Sequence, residues 1–170
     1  MNAGLKLRLE TETDWSEIRD LTELAFRDRP YSGGDEQDVV DRLRSDGALT
    51  LSLVAIDAGK LVGQITFSPA EVADGSGPWF ALGPVSVLPE KQSEGIGSKL
   101  ILEGLERIRG MGALGCILTG NPDYYRRFGF EISPPNTPVE EEEEFFMLKL
   151  LHGNQPEGRF LFHKAFYGDV

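Results

Sequence analysis

The chain has 170 residues, of which 40% are hydrophobic and 26% charged, enough for one packed core and ordinary for a globular domain. A formal charge of −11 argues against a nucleic-acid partner, and no apolar run reaches the ~20 residues of a membrane span. The opening, MNAGLKLRLE, lacks the apolar stretch of a signal peptide, and one cysteine, Cys116, permits no internal disulfide. A single cytoplasmic domain over residues 1–170 is therefore expected.

Alternating apolar and polar side chains over residues 5–10 predict a half-buried strand. Asp14 then reads as the N-cap of a helix with Trp15, Ile18, Leu21, Leu24 and Ala25 on one face. RDRPYSGG (27–34) ends that helix in a loop, and Val39, Val40 and Leu43 mark a second helix over about residues 35–45. Strands at 49–57 and 61–72, joined by the turn Ala58-Gly59-Lys60, form a hairpin. A turn at 74–78 leads into a strand at 79–88. Ile96, Leu100, Ile101, Leu105, Ile108 and Met111 then recur at helical spacing. A buried strand follows at 113–120, then a short helix starting near Pro122 and ending at Gly129. Residues 133–144, with five glutamates at 140–144, read as a surface excursion before strands at 145–151 and 159–167. The order βααβββαβαββ implies a mixed α/β (α+β) sheet. Its hairpins are antiparallel, and the helix between 88 and 113 is long enough to cross over and set its flanking strands parallel.

The chemistry concentrates in LPEKQSEGIGSKLI (88–101), where glycines precede a helix whose first amides can hold an anion. A P-loop needs Gly-Lys followed by Ser or Thr, but Gly97 is followed by Ser98 and then Lys99. A dinucleotide fingerprint begins at Gly95 and Gly97 but meets Leu100 at its third glycine. The pattern Gln/Arg-x-x-Gly-x-Gly/Ala is met by Gln92, Gly95 and Gly97. Pro84 in the preceding strand cannot donate to a sheet ladder, so pairing is interrupted there. YYRRFGF supplies Tyr-x-x-x-Gly-Phe through Tyr125, Gly129 and Phe130. Along nearly all of its length the chain thus resembles a GNAT-family N-acetyltransferase. Through FSP (67–69), NPDYYRRFGF (121–130) and FHKAF (162–166) it is similar to the bacterial YhbS-like group.

The resemblance implies the GNAT fold, a mixed central sheet of about seven strands flanked by helices, with a splayed parallel pair. The pantetheine arm of acetyl-CoA would fill the splay against Val85, Ser86 and Val87. Gln92 and the loop residues Ser93, Glu94, Gly95, Ile96, Gly97 and Ser98 would hold the pyrophosphate. Asn121, Tyr125 and Phe128 would complete the cofactor site. Direct transfer of an acetyl group to an amine needs a polarised thioester carbonyl and two aligned reactants. By resemblance, the Val87 amide serves the carbonyl and Tyr125 is the general acid, since a tyrosine hydroxyl is ordinarily protonated at neutral pH. Tyr124 reads as packing.

No general base stands out. Glu36 resembles an acidic position of the group; Ser68 and Glu71 are further candidates, each also readable as a surface or turn residue. Phe26 and Tyr31 would wall the acceptor site. The expected partner is a small-molecule or peptide amine, with no nucleic acid, membrane or metal, and family members are often homodimers. His152 and His163 are too isolated for a metal site, and Cys116 reads as a small core residue. A catalytically silent CoA-binding or sensing domain, or an interaction module with no cofactor, stands as the alternative.

Overall fold

A computed structural model describes residues 4–27, 29 and 32–168. Its strands are β1 (Leu5–Leu9), β2 (Leu51–Asp57), β3 (Lys60–Val72), β4 (Trp79–Val87), β5 (Gly115–Thr119), β6 (Glu131–Ile132), β7 (Phe146–Leu150) and β8 (Phe160–Leu161). The helices are α1 (Trp15–Phe26), α2 (Glu36–Ser45), α3 (Ile96–Gly110) and the single turn α4 (Pro122–Tyr125). The sheet runs β1-β2-β3-β4-β5-β7-β6. Its pairs are antiparallel except β4 with β5, which the α3 crossover sets parallel as expected.

The pleat of β3 decides which helix covers which face. Gly63 lies against Ile96 and Leu100, and Phe67 against Gly104, so odd-numbered residues here face α3. Even-numbered Gln64, Thr66 and Ser68 face the other side, where Thr22 of α1 meets Ser86 of β4. A β-carbon at Gly104 would collide with the Phe67 ring, so the glycine is what lets α3 approach the sheet. Leu53, Ile65, Phe67, Leu100 and Ile101 are fully enclosed in the main core. A second cluster, with Trp79, Phe146 and Phe160, closes the opposite end of the sheet. The Trp79 and Phe160 rings meet edge to face at 5.0 Å.

Four expectations need correction. The α1 stripe is Ile18, Leu21, Thr22 and Ala25, spaced i, i+3, i+4, i+7, so Trp15 and Leu24 fall at its margins and are each 40% exposed. Trp15 instead donates to Glu10 at 2.9 Å and carries the Arg44 guanidinium 4.8 Å above its ring. The predicted strand at 159–167 shrinks to β8, which pairs with the far end of β3 through Glu71 and Val72 and is followed by the turn Lys164–Tyr167. Residues 133–144 are not wholly a surface excursion. Asn136 and Thr137 are buried, and Asn136 donates to the carbonyls of Pro156 and Gly158, tying this segment to the tail.

Asp14 does not cap α1 with its side chain. Its carboxylate turns back to accept from Arg8 at 2.7 and 3.1 Å and from the Thr11 N–H at 2.7 Å. The Arg8 hydrogen bonds are the main cause that lowers its pKa to about 2, helped by Thr11 and opposed by burial. A lowered carboxylate stabilises the fold above the ordinary range of ~4, and that contribution is lost as pH falls through 2. Asp14→Asn is expected to flatten the fall of stability between pH ~4 and ~2 in urea titrations. An unchanged pH dependence would remove Asp14 from the acid response.

Candidate active site at the split between two parallel strands

The β4–β5 ladder runs only through Trp79–Gly115, Phe80–Cys116 and Ala81–Ile117 among the described residues, although β4 continues to Val87 and β5 to Thr119. Across β3 the register shifts by one, from Ile65–Val85 to Phe67–Leu82, so Gly83 and Pro84 together oppose Thr66. This is a β-bulge, which bends its strand. The Pro84 carbonyl accepts from the side chains of Gln64 (3.2 Å) and Thr66 (3.1 Å). Beyond the bulge, Leu88 N–H donates to Val62 at 2.9 Å, which marks 62–88 as a hydrogen-bonded pair. By the alternation of an antiparallel ladder, 64–86 is also such a pair, while 63–87 and 65–85 are not. The N–H and C=O groups of Val85 and Val87 therefore face away from β3, into the space that β5 vacates. These two are the only residues of β4 that are not fully buried.

The loop after β4 reaches α3 through two left-handed residues, Ser93 (φ 70°) and Gly95 (φ 86°). A β-carbon at Gly95 would touch nothing, so the glycine answers a backbone need and not a steric one. At Gly97 a β-carbon would lie 3.5 Å from Tyr124 Oη and 3.7 Å from Val87 Cγ2, in ordinary contact, so this position faces both β4 and the tyrosine turn. The first turn of α3 carries no acidic residue, and its amides have the orientation that favours an anion. Ile96 is buried in the main core and anchors this turn to the sheet.

The Gln92 side chain is occupied within the protein. Its Nε2 donates to the Val87 carbonyl at 3.0 Å, and its Oε1 accepts from Arg29 at 2.6 Å. It braces the strand end. Ser86 is likewise buried, its hydroxyl accepting from Gln64 at 2.8 Å and donating to Thr22 at 3.3 Å. Asn121 accepts from the Asp123 N–H at 3.0 Å and so caps α4. Phe128 is buried beneath Tyr124 and Tyr125, at ring separations of 5.4 and 6.4 Å, and acts as their support.

Tyr124 and Tyr125 are half-buried and meet edge to face at 5.0 Å. Arg127 stacks 4.6 Å from the Tyr124 ring. Tyr125 packs on Phe130 at 6.1 Å and against Gly120, whose β-carbon would come within 2.7 Å of its ring.

On the α1–α2 side a cleft of about 250 Å³ is lined by Phe26, Arg29, Ser32 and Gln37, among others. Phe26 lines this cleft, while Tyr31 falls outside the described residues. Glu36 stands beside the cleft, accepting from Ser32 at 2.6 Å. Ser68 is fully buried and cannot touch an acceptor, and Glu71 sits at the β8 pairing, at the far end of β3. Gln64, Thr66 and Arg29 escaped the sequence reading. The available signal was a glutamine and a threonine interrupting the apolar run LVGQITF.

Against this geometry, the family profile of the acetyltransferase (GNAT) domain matches residues 6–133, three quarters of the chain. The chain belongs to the GNAT acetyltransferase family. Among GNAT relatives, the uncharacterized N-acetyltransferase YhbS of Escherichia coli is 35% identical over 106 residues, 62% of this chain and 64% of YhbS. YjhQ of the same organism is 35% identical over 142 residues, 78% of this chain and 77% of YjhQ. A GNAT acetyltransferase from Brucella melitensis, solved in complex with acetyl-CoA, is 45% identical with a TM-score of 0.85, covering 95% of this chain and 97% of its own. Escherichia coli YhbS in complex with CoA superposes with a TM-score of 0.87 at 29% identity, covering 96% and 92%.

Gly120→Ala is expected to turn the Tyr125 ring away from the end of β5, because the ring is half-buried and can yield where the backbone cannot. A crystal structure of the variant with Tyr125 unmoved would show that the glycine has no part in setting that ring.

Proposed function

We propose that this protein transfers an acetyl group from acetyl-CoA directly to a primary amine, both substrates being bound at once. The observation that carries the reading is the pair of Val85 and Val87 amides turned into the gap beside β5. An open strand edge of this kind fits the amide-bearing pantetheine arm, which can pair with it as a strand would. The adjoining left-handed turns and free α3 amides fit the pyrophosphate, with backbone from residues 93–98 as its holder. Glu94 then needs no direct part, because backbone donors and not side chains carry the anion.

When bound, acetyl-CoA supplies the acetyl group as an activated thioester. The Val87 N–H is the donor for the carbonyl oxygen as negative charge develops there, and it needs no reorganisation because the β3–β4 ladder already turns it away from β3. Tyr125 Oη gives its proton to the departing sulfur. Phe26 walls the amine side, and Glu36, steadied by Ser32, is the carboxylate available to attract or deprotonate the amine. Cys116 takes no part: it is wholly buried, and burial raises its thiol pKa far above the ordinary range.

Acetyl-CoA at ~100 times its Kd is expected to stabilise the fold by ~2.7 kcal/mol in a thermal-shift titration, and Gly97→Glu to abolish that shift by placing a bulky negative side chain between β4 and the tyrosine turn. A Gly97→Glu protein that still responds to acetyl-CoA would move the pyrophosphate site elsewhere.

Tyr125→Phe is expected to lower kcat by roughly 10–100-fold with little change in acetyl-CoA affinity, read as CoA release across a panel of amines. Unchanged turnover would take Tyr125 out of the mechanism. Tight binding with no CoA release from any amine would favour a silent acyl-CoA binder.

A further inference from the structure

We infer that Gln64 is a positioning residue that aims the Val85 and Val87 amides into the split. The inference rests on the acyl-CoA reading above. Gln64 sits on β3, fully buried beneath α1. One proton of its side-chain amide goes to the Pro84 carbonyl, at 3.2 Å, and also serves the bulge that Thr66 grips at 3.1 Å. The amide also donates to Ser86 Oγ at 2.8 Å. Ser86 passes its own proton to Thr22 Oγ1 at 3.3 Å, and Thr22 donates to the Ile18 carbonyl at 2.7 Å. Every hydroxyl in this run donates onward, so the run has one consistent direction, from β3 through β4 to the backbone of α1.

Peptide planarity turns that grip into aim. The Pro84 carbonyl and the Val85 N–H share one planar trans unit and point in opposite directions. Holding the carbonyl on the side of Gln64 and Thr66 therefore sends the Val85 N–H the other way. The Ser86 carbonyl and the Val87 N–H share the next-but-one unit. There the 64–86 ladder pair fixes the carbonyl toward β3, and the Val87 N–H faces the split. Gln64 thus governs both amides, one through its side chain and one through its backbone.

The cost of keeping a glutamine here is visible. Its Oε1 is buried and has no partner among the described residues. Methionine, of similar length, would bury no such oxygen in this apolar setting. A residue that breaks the apolar pattern of its strand and leaves a polar atom unsatisfied is one whose role is not stability.

Gln64→Met is therefore expected to melt no lower than wild type while binding acetyl-CoA about ten-fold more weakly by calorimetry. Gln64→Glu provides a second reading and carries the test should the methionine variant not fold. A protonated carboxyl can donate to Pro84 as the amide does, whereas an ionised one cannot donate at all. Its affinity for acetyl-CoA should fall relative to wild type as pH rises, a change that a merely structural residue would not produce. Wild-type affinity in Gln64→Met, or a Gln64→Glu affinity that tracks wild type at every pH, would overturn the inference. A wild type that binds no acetyl-CoA would instead overturn the acyl-CoA reading, and this inference with it.

Discussion

The carbonyl of Pro84, held by the side chains of Gln64 and Thr66, is the point on which the site depends. Backbone donors and acceptors inside a sheet must find partners, and a proline in mid-strand removes one donor from the ladder. The chain answers with a bulge, and the bulge shifts the register of β4 against β3 by one residue. From that shift follow the short β4–β5 ladder, the opening between the two strands, and the outward-facing amides of Val85 and Val87. The glycine loop and the tyrosine turn are then placed at the two sides of the opening by β4 and β5, the strands on either side of the α3 crossover.

Two kinds of packing keep the opening in shape. On the α3 face, glycines permit close approach: Gly63 admits Ile96 and Leu100, and Gly104 admits Phe67. On the α1 face, polar side chains replace apolar ones, and a hydrogen-bonded run from Gln64 to Ile18 connects sheet and helix. Gln92 closes the far end by holding the Val87 carbonyl, and Arg29 in turn holds Gln92. The loop that borders the α1–α2 cleft is thereby in direct contact with the loop that begins α3. The residues that shape the split are thus mostly supports, and the groups offered to a ligand are largely backbone.

The same division explains what could be read from the sequence. Gly95, Gly97, Pro84 and the Tyr125-to-Phe130 run are legible because each states a local backbone requirement within a few residues. The crossover helix and the parallel pair were legible from element order alone. Gln64 and Thr66 were not, since their partners lie 18 to 22 residues away and appear only once β3 and β4 are in register. Arg29 and Gln92, 63 residues apart, are further out of reach. Ser68 misled for a related reason: a serine in a strand does not reveal whether a helix will cover it. The tail failed because β8 needs only two paired residues, too few for a periodic pattern, and its apolar side chains serve the second core instead of a long strand.

The Val85 and Val87 N–H groups are donors at an open strand edge. Amide NMR of the ¹⁵N-labelled protein titrated with acetyl-CoA addresses them individually. The expected result is that these two amides shift strongly and become protected from hydrogen exchange on binding, together with amides from residues 93–98. Binding that leaves the Val85 and Val87 amides unshifted and freely exchanging would contradict it.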